Sequence, residues 1–152
     1  MHVVLVEPEI PQNTGNIART CAVTGCILHL VKPLGFSTDD KYLKRAGLDY
    51  WYLVDVHYHD SFDELKQKYP HGRFYFSTTK GKKWYTEMKY EKDCFLVFGK
   101  ETAGLPDRIL KENEEWCIRV PMKKGARSLN LSNAVAIIVY EALRQQRFEG
   151  LV

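Results

Sequence analysis

Three polar, glycine-bearing segments carry the side chains best suited to hold an anionic or polar ligand. In Asn13-Thr14-Gly15-Asn16-Ile17-Ala18-Arg19-Thr20, Asn13 and Thr14 can cap the free amides of a helix and Gly15 permits close backbone approach. Arg19 then falls about one turn into that helix, near its positive end, where it would suit a phosphate or carboxylate. An ordinary capped helix with a surface arginine would read the same way. In Phe98-Gly99-Lys100-Glu101-Thr102-Ala103-Gly104-Leu105-Pro106, two glycines bracket a polar turn, so backbone rather than side chains shapes the loop; a plain tight turn is the alternative. The third segment, Val120 to Asn133, runs from the basic loop Lys123, Lys124 and Arg127 into Ser128-Leu129-Asn130-Leu131-Ser132-Asn133. A helix start needs one or two such caps. Four in six positions is surplus polarity beside an apolar helix, and buried polar groups need partners, so a ligand is expected here.

Other chemistries are excluded by spacing. No two of the ten glycines stand two positions apart, which removes the dinucleotide fingerprint. Gly99 and Gly104 have phosphate-loop spacing, but Leu105-Pro106 follows where Lys and Ser or Thr are required. Neither a G-x-S-x-G elbow nor H-E-x-x-H occurs. Asp55, His57 and His59 alternate along a strand end and would suit ligands, although a half-exposed sheet edge explains them better. Cys21, Cys26, Cys94 and Cys117 form no C-x-x-C pair and read as buried free thiols; no metal is expected.

Short apolar runs alternate with helical stretches and must position these segments. Val3–Val6, Ile27–Val31, Leu53–Val56, Phe74–Phe76, Phe95–Phe98 and Cys117–Val120 read as continuous strands, the kind covered on both faces. Helices are expected over Thr14–Thr24, over Asp39–Ala46 closed by Gly47, from the capping box at Ser61, and over Asn130–Gln146. The alternation predicts an α/β fold with a mostly parallel sheet flanked by helices. Ala134–Tyr140 is apolar on every side, which points to a helix covered by a second subunit.

The 152 residues suit one domain spanning 1–152, since ~150 is a usual domain size. The longest stretch free of Asp, Glu, Lys and Arg is 13 residues, short of the ~18 that suggest a membrane span. With no signal peptide at the amino terminus, a cytoplasmic protein is expected. The net charge of +3 matters less than its clustering at Lys41, Lys44 and Arg45, at Lys80, Lys82 and Lys83, and at Arg119, Lys123, Lys124 and Arg127.

Taken together and in order, the three segments resemble the motifs of the SPOUT class of RNA methyltransferases over essentially the whole chain. The opening Val-Leu-Val-Glu-Pro-Glu-Ile-Pro-Gln-Asn-Thr-Gly-Asn and the segment Gly35–Tyr50 are similar to the small single-domain branch that methylates the 2′-hydroxyl of the anticodon wobble nucleotide of tRNA. The resemblance implies a carboxyl-terminal trefoil knot, S-adenosylmethionine as methyl donor and a homodimer joined through the first and last helices. Cofactor contacts would fall to Ser77, Thr78, Gly99, Glu101, Val120, Met122, Ser128 and Leu129. Arg19 would serve catalysis by anchoring a phosphate and orienting the hydroxyl, with Ser128 and Asn130 as further polar contacts. Arg19, Lys41, Lys44, Arg45, Lys123, Lys124 and Arg127 would hold the anticodon stem-loop. A competing reading keeps the fold as an RNA- or cofactor-binding module without turnover.

Overall fold

The computed structural model describes residues 1–39, 41–47 and 50–152; the side chains at 44, 46 and 47 lie outside the description. Seven strands form one all-parallel sheet: β1 (His2–Val6), β2 (Ile27–Val31), β3 (Val56–His59), β4 (Phe74–Ser77), β5 (Lys83–Trp84), β6 (Phe95–Phe98) and β7 (Cys117–Arg119). Their order is β3-β2-β1-β6-β4-β7-β5. Five α-helices accompany them: α1 (Pro11–Thr24), α2 (Lys41–Gly47), α3 (Phe62–Lys68), α4 (Asp107–Glu112) and α5 (Leu131–Gln145).

Alternation along the apolar strands divides the core in two. Val3 and Leu5 of β1, Leu28 and Leu30 of β2 and Ile118 of β7 pack with Ile17 and Cys21 of α1 and with Val135, Ile138 and Val139 of α5. Val4 and Val6 face the other way, with Phe74, Phe76, Phe95 and Val97, and meet Phe62 and Leu65 of α3 and Ile109 of α4. Burial on both faces is why these strands are continuous hydrophobic runs. All four cysteines are free and buried among them.

Two boundaries follow local chemistry. Ser61 Oγ accepts from the Glu64 amide at 3.1 Å and opens α3, as the capping box predicts. Gly25 ends α1 in the left-handed region at φ 72°, a conformation that costs glycine no Cβ clash.

Two sequence expectations need correction. The third strand is Val56–His59 rather than Leu53–Val56, because Trp51–Leu53 forms a 3-10 turn and the strand begins beyond it. α1 begins at Pro11, so Asn13 and Thr14 lie inside its first turn rather than ahead of it, and Arg19 is two turns in, beyond the reach of the helix's positive end. On the last helix Val135, Ile138 and Val139 are buried, whereas Ile137 and Tyr140 are exposed in the single chain, as for a helix with an apolar side left for a second subunit. β5 and α4 have no counterpart in the sequence reading.

Histidines occupy one corner of the sheet. His2 Nδ1 lies 2.9 Å from His29 Nε2, and His29 Nδ1 lies 2.9 Å from His59 Nε2, joining β1, β2 and β3 through their rings. His29 and His59 are buried, and His59 Nδ1 has no hydrogen-bond partner among the described residues. Asp55 pairs with His57 at 2.9 Å on the more exposed side. The set works as a ring-to-ring ladder ending at the edge strand β3, in keeping with the preferred reading of Asp55, His57 and His59 as a sheet edge rather than as ligands.

Candidate active site

Between β1 and β6 the winding direction of the sheet changes, and open α/β sheets bind ligands beyond the carboxyl ends of strands at such a point. A cleft of about 570 Å³ lies there, reached by Ser77 at the end of β4, Phe98 at the end of β6 and Val120 just past β7. That volume falls within the ~300–1,000 Å³ of small-molecule sites. All eight residues expected at a cofactor line it: Ser77, Thr78, Gly99, Glu101, Val120, Met122, Ser128 and Leu129.

The loop after β6 is shaped by backbone, as the two glycines suggest. A Cβ on Gly99 would sit 2.1 Å from both the Gly104 carbonyl carbon and the Leu105 nitrogen, so no side chain fits there. The Gly104 amide donates to the Lys100 carbonyl at 2.9 Å and closes the turn.

The same loop supplies the cap that α1 lacks. Ile10, at the cap position, offers no side-chain acceptor. Glu101 Oε2 accepts from the Glu9 amide at 2.8 Å, and Oε1 accepts from the Ile10 amide at 3.1 Å and from Asn13 Nδ2 at 3.2 Å. A carboxylate at a helix start is doubly favoured, by its hydrogen bonds and by the helix dipole. In return the Glu9 carboxylate accepts from Thr102 Oγ1 at 2.8 Å, and Lys100 Nζ meets Glu7 at 3.0 Å. Glu7 holds the Lys100 ammonium charged to higher pH than usual.

The third segment joins through Asn130, which donates from Nδ2 to Asn13 Oδ1 at 3.0 Å. Asn130 Oδ1 meanwhile accepts from the Ser132 amide at 2.9 Å and caps α5. Asn13, read from sequence only as a cap, is thus the hub that brings the three segments together. The surplus polarity before α5 divides accordingly: Asn130 and Ser132 bond within the protein, while Ser128 is exposed on the cleft wall.

The cations separate into two groups. Arg127 lines the cleft, and Lys123 and Lys124 are exposed on the same loop. Arg19 does not line the cleft of its own chain; its guanidinium lies 4.5 Å from the centre of the Tyr50 ring, on the α1 and α2 side. Lys41 and Arg45 are exposed on α2, and the Lys44 side chain is outside the described residues. Lining residues absent from the sequence reading are Thr79 and Leu110, which nothing in their local pattern marks, and Lys80 of the basic cluster lines the cleft as well.

This fold is that of an established group of enzymes. The profile of the SpoU rRNA Methylase family matches residues 1–140, and the chain belongs to that family. A Geobacillus stearothermophilus protein is 58% identical over 99% of this chain and 98% of its own length, and is provisionally named a tRNA (cytidine(34)-2'-O)-methyltransferase. A solved structure concerned with 2-OH methylation of C/U34 on tRNA superposes with a TM-score of 0.92 at 42% identity, covering 97% of each chain. An AdoMet-bound rRNA methyltransferase from Sinorhizobium meliloti gives a TM-score of 0.84 at 26% identity over 94% of this chain and 55% of that one.

Proposed function

We propose that this chain transfers a methyl group from S-adenosylmethionine to the ribose 2′-hydroxyl of the tRNA wobble nucleotide, cytidine or cmnm5-uridine. The observation that carries the reading is the meeting of all three motif segments at one cleft, held by the Glu101–Asn13–Asn130 chain. The activities named for the similar proteins agree with it.

The cleft residues suit the cofactor. Val120, Met122, Leu105 and Leu129 offer an apolar lining for a purine, while Ser77, Thr78 and Ser128 offer hydroxyls for ribose and amino-acid groups. When bound, S-adenosylmethionine supplies a methyl group on a positively charged sulfur, ready for in-line displacement. The chain's own task is to hold the ribose in line and to polarise its hydroxyl. Arg19 is a permanent cation and a poor proton acceptor, so its role is to anchor the adjacent phosphate and orient the hydroxyl. Lys41, Lys44, Arg45, Lys123, Lys124 and Arg127 bind anticodon stem-loop phosphates.

A homodimer reconciles Arg19 with the cleft. Val23 on α1 and Ile137 and Tyr140 on α5 are exposed apolar side chains on two helices that pack together. Pairing two chains through these helices covers them and carries each Arg19 toward the partner subunit. The reading further includes a single domain spanning 1–152 and a carboxyl-terminal trefoil knot. Action in the cytoplasm accords with the absence, among the described residues, of a helix long and apolar enough to cross a membrane.

The test is transfer from labelled S-adenosylmethionine to unmodified tRNA, with the product nucleotide located by digestion and mass spectrometry. A 2′-O-methyl group at the wobble position is expected. Cofactor binding with no transfer to any tRNA would instead identify a binding module.

A further inference from the structure

At the outer edge of the sheet, one strand beyond the cleft, an indole stands half in water. Trp84 is 50% exposed at the carboxyl end of β5, a two-residue edge strand. Leaving an indole face in water forgoes much of the free energy that its burial would contribute. Trp84 pairs in register with Arg119 at the carboxyl end of β7, so both stand at the ligand-binding end of the sheet. Cys117, two residues before Arg119, packs into the core beneath α3 and α4. By strand alternation Arg119 and its register partner Trp84 leave the sheet on that same face, away from α1 and α5. A dimer joined through α1 and α5 therefore leaves the indole uncovered.

One cation stands free beside the indole. Arg119 is exposed and has no ion pair among the described residues. Lys83 Nζ donates to the Glu115 carbonyl at 3.1 Å and, in register with Ile118, leaves the sheet on the opposite face. Lys82 and Lys80 are matched by Glu114 and Asp107, and Glu87 accepts from the Trp84 amide, so the cation left without an ion pair on the indole's own face is Arg119. The chain then runs from Arg119 through Val120 and Met122 on the cleft wall to Lys123 and Lys124. An aromatic face beside a free guanidinium is the combination that binds unpaired nucleotides, the base stacking on the ring and the phosphate meeting the charge.

We propose that Trp84 and Arg119 form a nucleotide subsite, where an unpaired base next to the methylated nucleotide stacks on the indole and its phosphate meets the guanidinium. The inference rests on tRNA being the substrate. It gives the enzyme a second hold on the anticodon loop, outside the reacting cleft.

The experiment compares wild type, Trp84→Ala, Trp84→Phe and Arg119→Ala in steady-state methylation of tRNA, with cofactor affinity and oligomeric state measured alongside. Trp84→Ala is expected to raise the KM for tRNA roughly tenfold, as for the loss of one stacked base. Its kcat, cofactor affinity and oligomeric state should stay as in wild type, and Trp84→Phe should recover most of the loss. A tRNA with an abasic site beside the wobble nucleotide should cost wild type a similar factor and Trp84→Ala nothing more. An unchanged KM in Trp84→Ala overturns the subsite, as does a loss that multiplies fully with the abasic one. A change in oligomeric state would make Trp84 a subunit contact and also overturn it. If wild type itself transfers no methyl group to tRNA, the functional reading fails and the subsite fails with it.

Discussion

Asn13 and Asn130, separated by 117 positions, share a 3.0 Å hydrogen bond that ties the first turn of α1 to the cap of α5. Replacing Asn130 by alanine removes that bond and the α5 cap together. Loss of the cap alone should cost about 1 kcal/mol. Asn13→Ala removes only the shared bond and the contact to Glu101. Urea unfolding of both single variants and the double variant should show less than additive loss, with a coupling of about 1 kcal/mol. Strict additivity would mean that the bond contributes nothing.

Glu101 lines the cleft, yet its carboxylate is committed to Glu9, Ile10 and Asn13. Glu101→Gln puts an amide group toward backbone donors and leaves one of them without an acceptor. Stability should fall by about 1–3 kcal/mol, with weaker cofactor binding as a consequence of a displaced α1. An unchanged melting temperature with abolished cofactor binding would show a direct contact to the cofactor instead.

Arg19→Lys keeps the charge but loses the planar fork and the stacking on Tyr50. We expect transfer to drop by about tenfold or more while cofactor affinity stays the same. Full activity would remove any special need for the guanidinium. Mixing inactive Arg19→Ala chains with inactive cleft variants such as Ser128→Ala should restore activity if the partner subunit supplies Arg19.

Phosphate contacts leave a measurable trace in salt. Affinity for tRNA should fall steeply as salt rises, and removing Lys123, Lys124 or Arg127 should each lower the logarithmic slope by about 0.7–0.9. A flat salt dependence would remove these residues from the RNA surface.

The histidine ladder sets the response to acid. Burial, followed by the amino-terminal ammonium, lowers the His2 pKa to about 4. Burial, followed by the neighbouring His2 and His59, lowers that of His29 to about 3, and burial also lowers that of His59. Groups with folded pKa values below the unfolded ~6.5 take up protons preferentially when unfolded. Their contribution is therefore full above that pH and is lost as pH falls toward the folded values, with a slope of about 1.4 kcal/mol per unit for each proton. The unpaired His59 Nδ1 also assigns the tautomers, since a buried acceptor is more readily left unpaired than a buried donor. His59 Nε2–H donates to His29 Nδ1, and His29 Nε2–H donates to His2 Nδ1. Nitrogen chemical shifts near neutral pH would show it, and Nδ1–H forms would contradict it.

Much of this arrangement was legible in the residues. Continuous apolar runs located β1, β2, β4 and β6 because two-faced burial leaves that mark, and Ser61 located α3 through its cap. Val56–His59 was missed because the burial of His59 depends on a ladder with His29, a partner on another strand. The start of α1 was misplaced for a related reason: its capping carboxylate, Glu101, comes from 91 residues further along the chain. The residues that the resemblance assigns to a cofactor all line one cleft. That Arg19 stands apart from its own cleft is a three-dimensional fact with no local signature.

The strand order also dictates when the site can come into being. During synthesis β1 gains β2 soon after it emerges, but its other edge waits for β6 at Phe95–Phe98. The cleft floor waits for β7, and α1 receives its Asn13 partner only with Asn130 and its packing partner only with α5. A chain released before that residue lacks both the tie and the helix that covers one face of the sheet, so a truncated product should sequester neither methyl donor nor RNA.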